Sequence, residues 1–100
     1  MTVSFIGEYQ LGNLISNQVP FLYFFISEER NESDHPLLEN VEYQPEIGLM
    51  DVIAEKKVEL ECPIVLMCED GNRSHEAAGT LAVAGYTNVF VVEGGLSGID

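Results

Sequence analysis

Apolar positions along the chain fall into five short runs: Val3 to Ile6, Val19 to Ile26, Val41 to Tyr43, Ile64 to Met67 and Asn88 to Val92. Each is short enough for a strand, and most are rich in the β-branched and aromatic residues that suit a pleated surface. Between them the spacing changes. Tyr9, Leu11, Leu14 and Ile15 within Glu8 to Ser16 predict a helix, which Gly12 weakens. Ile47, Leu49, Met50, Val52, Ile53 and Ala54 give a second helical stripe running to Lys57, read as core packing. Ala77, Ala78, Leu81 and Ala82 put a third apolar face on a helix from Ser74 to Ala84, with Gly85 as its stop.

The order of elements predicts an α/β sandwich around a parallel sheet of about five strands. Ile64 to Met67 is apolar at every position, which suits a strand buried on both faces of such a sheet. Val19 to Ile26 is expected beside it in the sheet centre, and Val41 to Tyr43, ended by Pro45, at an edge. Ser27 to Pro36, SEERNESDHP, reads as an exposed loop rather than a domain boundary.

Chemistry concentrates in Pro63 to Ser74, PIVLMCEDGNRS. Cys68 ends the central strand at the carboxyl edge of the sheet, where diverging loops leave a crevice in open α/β folds. The helix that follows points unpaired N–H groups and the positive end of its dipole at the sulfur, a setting that favours a thiolate. Gly71 permits the tight turn, and Arg73 adds a fixed positive charge. A lone cysteine is more often an inert buried thiol, but its place before Gly71, Arg73 and a helix start makes Cys68 the candidate nucleophile.

CxxGxRS from Cys68 to Ser74, the alanine-rich helix behind it, and AGYTNVFVVEGG resemble the rhodanese (thiosulfate sulfurtransferase-like) domain family over Pro63 to Gly95. The resemblance implies a three-layer sandwich with helices on both faces of the sheet. It also implies a sulfurtransferase that carries sulfane sulfur as a persulfide on Cys68 and passes it to a thiol or to cyanide. The N–H groups from Glu69 to Arg73 would cradle that sulfur, with Arg73 binding or orienting the donor. The catalytic residues are therefore expected to be Cys68 and Arg73, and the substrate-binding residues Glu69, Asp70, Gly71, Asn72 and Ser74. FFISEER and DHPLLEN stand where the family carries DxR and GHIxGA, with only Arg30 and His35 as echoes. The family's closing tryptophan and helix have no counterpart before Gly98-Ile99-Asp100, so that end of the fold is read as trimmed or short.

Those departures motivate a second reading, a non-catalytic interaction or regulatory module. A cysteine phosphatase ranks third. Its loop has five residues between cysteine and arginine, whereas four separate Cys68 from Arg73, giving a smaller cradle better matched to one terminal sulfur.

Composition narrows the class. One hundred residues, 46% hydrophobic, make one domain spanning residues 1–100 with a single core. Seventeen acids against four bases give a net charge of −13, which opposes binding to nucleic acid or anionic membranes. Glu69 and Asp70 are expected to disfavour anionic donors unless they form a solvated rim. The partners expected are a small sulfur donor or a persulfide-carrying protein, and a thiol acceptor; the chain is expected to be a monomer. The N-terminus lacks a secretory signal pattern, and the longest apolar run is too short to span a bilayer, so a cytoplasmic protein is expected. Two cysteines make no disulfide framework; six extended residues place Cys62 roughly 20 Å from Cys68, and Cys62 is read as structural. His75 is expected to be solvated in the first helical turn. Cys62, Cys68, His35 and His75 lack zinc-ligand spacing, and neither metal nor cofactor is expected.

Overall fold

The computed structural model describes residues 3–17, 21–27, 41–69 and 71–95. Five strands, β1 (Val3–Ile6), β2 (Leu22–Ile26), β3 (Glu42–Gln44), β4 (Ile64–Met67) and β5 (Val89–Val92), alternate with three helices. The helices are α1 (Glu8–Ser16), α2 (Leu49–Glu55) and α3 (Asn72–Val83). The sheet has the order β1-β5-β4-β2-β3, and every pairing is parallel.

That order explains the layers. The crossover from β1 to β2 runs one way across the sheet, and those from β3 to β4 and β4 to β5 run the other way. A fixed right-handed crossover then puts α1 on one face and α2 with α3 on the opposite one. Side chains divide accordingly with a period of two. Phe24, Ile26, Ile64, Leu66, Val89 and Val91 pack with Leu49 and Ile53 of α2 and Ala77, Ala78 and Leu81 of α3. Tyr23, Phe25, Val65, Met67 and Val92 pack with Leu11 of α1. All four β4 residues have no exposed surface, as the uninterrupted apolar run predicts.

β4 lies at the middle of the sheet with β2 beside it, and β3 forms an edge. Among the described residues the second strand begins at Leu22; Val19 and Pro20 lie outside them, as do most of the Ser27 to Pro36 loop with Arg30 and His35, and Gly98 to Asp100. Two helix starts differ from expectation. α2 begins at Leu49, and Ile47 is 89% exposed in the turn before it rather than part of the core stripe. α3 begins at Asn72, two residues before the expected Ser74. In both cases the N-cap is a left-handed glycine, Gly48 (φ 91°) or Gly71 (φ 93°), which starts α2 two residues after Ile47 and α3 two residues before Ser74 without the side-chain cap that would signal either position. The end of α3 is as read: Gly85 has φ 106°, and the Gly85 and Tyr86 N–H groups donate to Ala82 and Leu81 carbonyls, a Schellman closure. No helix among the described residues is long and apolar enough to cross a membrane.

Candidate active site

Cys68 follows β4 directly, and the buried strand fixes its backbone; the residue itself is 1% exposed. Its side chain continues the Ile64, Leu66 alternation toward α3 and joins the core cluster with Ala77 and Ala78. The sulfur is therefore delivered to the first turn of that helix.

Two backbone donors converge on it. The Gly71 N–H donates to Cys68 Sγ at 3.0 Å, and the Ser74 N–H does so at 3.3 Å. Ser74 is the third helical residue, so its N–H is one of those the helix leaves unpaired, and it carries the positive end of the dipole. The Ser74 hydroxyl lies 3.3 Å from the sulfur and donates to the Gly71 carbonyl at 3.1 Å. Ser74 is wholly buried, and its hydroxyl both holds the turn and touches the sulfur. Donors fixed around a sulfur stabilise negative charge there, because hydrogen bonds to an ionised group are stronger than neutral ones.

A glycine pair packs against this turn. Gly94 and Gly95, after β5, both have positive φ, 74° and 60°. A Cβ on Gly95 would fall on the Cys68 carbonyl oxygen and lie 2.7 Å from the Gly71 nitrogen, and one on Gly71 would lie 3.3 Å from the Gly94 nitrogen. The two turns are backbone to backbone, and no side chain fits between them. Sequence reading finds Glu93-Gly94-Gly95 only as the turn after the last strand. The doubled glycine is the signal that this turn is pressed against something.

The other expected site residues separate by exposure. Gly71 is half-buried, and Glu69, Asn72 and Arg73 are exposed; Asp70 lies outside the described residues. Arg73 is the second residue of α3 rather than a loop residue, and its guanidinium makes no hydrogen bond or ion pair among the described residues, so it is free to meet a ligand. His75 is exposed but sits edge-on to Phe5 of β1, ring centroids 5.3 Å apart. Cys62 is half-buried and donates to its neighbour's carbonyl, Pro63 O, at 3.6 Å. Burial first, and the nearby Glu59 second, push the Cys62 thiol above its ordinary range, which makes it a poor nucleophile. Among the described residues no group of three or more His, Cys, Asp or Glu side chains is placed to hold a metal ion.

The model of the Rhodanese-like domain family matches residues 7–100. No curated protein sequence matches the chain. Among solved structures, a rhodanese homologue of Thermus thermophilus superposes with a TM-score of 0.70 at 24% identity, over 95% of this chain and 99% of that one. The polysulfide-sulfur transferase homodimer of Wolinella succinogenes gives 0.71 at 17%, over 95% of this chain and 71% of its own. A human single-domain sulfurtransferase gives 0.68 at 19%, over 92% and 90%. At these identities the superpositions establish a common fold.

Proposed function

Because the chain belongs to the rhodanese-like domain family, we propose that it is a sulfurtransferase carrying sulfane sulfur on Cys68. The observation that carries this reading is the convergence of the Gly71 and Ser74 N–H groups on one sulfur, with the Ser74 hydroxyl beside it. The Cys68 thiolate attacks the outer sulfur of the donor. An S–S bond forms to Cys68 as the donor's own bond to that sulfur breaks, and its electron pair leaves on the donor. The persulfide's terminal sulfur is then attacked by a thiolate or cyanide, which regenerates Cys68. Each half is a displacement at sulfur with no net redox change. The donors that hold Sγ give the sulfur's charge a fixed, water-poor environment in both halves, and Arg73 at the helix start is positioned to meet an anionic donor. A reactive thiol suits a reducing compartment.

Incubation with a sulfane donor followed by intact-mass measurement tests the reading. One added sulfur is expected, absent in Cys68→Ala and released by a thiol. A mass unchanged with every donor tried overturns it. The interaction-module reading draws on the near-complete burial of Cys68 and predicts that unchanged mass.

A further inference from the structure

All five strands run the same way, so the loops around Cys68 form one edge of the molecule, and among the described residues the charge at that edge is mostly negative. Glu8 follows β1, Glu46 follows β3, Glu69 follows β4 and Glu93 follows β5, each within two residues of its strand's end and each exposed. The Glu93 N–H donates to the Ile6 carbonyl, which fixes that residue's backbone beside the end of β1. Among the described residues, Arg73 is the cation here. Lys56 and Lys57 close α2 at the opposite edge, where Lys56 pairs with Glu42 at the start of β3, 3.0 Å apart.

Exposed apolar side chains share the same edge. Tyr9, 81% exposed, lies in the first turn of α1 beside Glu8, and Ile47, 89% exposed, lies beside Glu46. Phe5, 53% exposed, caps β1 against His75, whose neighbour Ser74 touches the sulfur. Five strands at the usual spacing make this face about 19 Å wide, the scale of a protein footprint rather than of a small ion. A sulfur centre at an edge that carries both exposed carboxylates and exposed apolar side chains suits the docking of a protein. A dianion such as thiosulfate meets repulsion on the same approach.

We propose that this edge is a docking surface for a basic protein that delivers sulfur as a cysteine persulfide. The proposal rests on the sulfur-carrier reading of Cys68 and names the donor class for that site. The Cys68 thiolate attacks the donor's outer sulfur and the donor's S–S bond breaks. The electron pair leaves on the donor cysteine as its thiolate, and Cys68 is left as a persulfide. Atoms and electrons balance without any added oxidant or reductant. Carboxylates steer the basic donor in, and Tyr9 and Ile47 supply apolar contact flanking the sulfur.

The test compares three donors by single-turnover loading of Cys68, followed by mass spectrometry: a cysteine-persulfide peptide flanked by lysines, its glutamate-flanked counterpart, and thiosulfate. At low salt the lysine peptide is expected to load about tenfold or more faster than the glutamate peptide, with the ratio shrinking as salt rises. The combined Glu8→Gln, Glu46→Gln, Glu93→Gln variant is expected to cut that ratio at least about threefold. Ile47→Ser is expected to slow both peptides and leave thiosulfate unchanged. Thermal melting matched to the parent shows that the variants are folded. Equal loading of the two peptides at low salt, or a ratio unmoved by the triple variant, overturns the docking surface while leaving the sulfur carrier intact. Loading by none of the three donors overturns both.

Discussion

Gly95 packs against the backbone of the turn that holds Cys68 and Gly71, and replacing it by alanine tests that support. Its φ of 60° lies in the left-handed region, where a side chain costs about 1 to 2 kcal/mol. Contact dominates over conformation. The new Cβ falls on the Cys68 carbonyl oxygen, 2.7 Å from the Gly71 nitrogen and 3.0 Å from the Cys68 carbonyl carbon. All three are backbone atoms of the turn that aims the Gly71 N–H at Sγ, so relief requires moving the turn. Overpacking of this kind costs about 1 to 3 kcal/mol, and the two contributions together make about 2 to 5 kcal/mol. For a domain of this size that lowers Tm by about 8 °C or more.

The displaced turn also misaligns one donor to the sulfur. Losing one charge-assisted hydrogen bond of about 1.5 kcal/mol slows persulfide formation on Cys68 about tenfold. Gly79→Ala is the matched control, because a Cβ there meets nothing within 4 Å and the position is inside α3. It is expected to stabilise by about 0.5 to 1 kcal/mol and to load sulfur at the parental rate. Differential scanning calorimetry and single-turnover mass spectrometry measure both quantities. A Gly95→Ala protein that melts within about 2 °C of the parent and loads equally fast refutes the close approach of the two turns.

Two further outcomes follow from the geometry. Ser74→Ala removes a buried hydroxyl 3.3 Å from Sγ and its 3.1 Å bond to Gly71; persulfide formation is expected to slow about tenfold, and a parental rate in single-turnover loading rules out its contribution. Burial, and secondarily Tyr43, hold the Tyr23 phenol above its ordinary range. Its folded value thus exceeds its unfolded one, so its contribution to stability is complete below about pH 10 and is lost as pH rises beyond. Tm measured from pH 9 to 11 is expected to fall less steeply in Tyr23→Phe, and identical slopes contradict the assignment.

How much of this was legible beforehand depends on where the information resides. β4 was readable because a parallel strand covered on both faces has no polar side, and Ile64 to Met67 shows none. The position of Cys68, the turn at Gly71 and the closure at Gly85 follow from local chemistry and match. The starts of α2 and α3 were misplaced at the same kind of position. A glycine N-cap works through a left-handed φ, whereas the recognisable caps work through a side-chain oxygen. Ile47 was consequently counted with the core stripe of α2, although the turn at Gly48 leaves it in solvent.

Long-range placement was beyond such reading. Gly94 and Gly95 are seen as a turn, but the contact with Cys68 and Gly71 exists only because β5 lies next to β4. Charge behaves likewise. A net −13 says that an anionic ligand is disfavoured everywhere and does not distinguish one surface from another. Topology supplies the distinction: parallel strands bring Glu8, Glu46, Glu69 and Glu93 to the edge that holds Cys68, where Arg73 is the one cation among the described residues, while both lysines, Lys56 and Lys57, stand with Glu42, Glu59 and Glu61 at the other. The helix start and Arg73 favour an anion at the sulfur, while the exposed carboxylates of the same edge disfavour its approach. A donor that reconciles the two presents a local negative sulfur on a positively charged body, which is what a persulfide on a basic protein is.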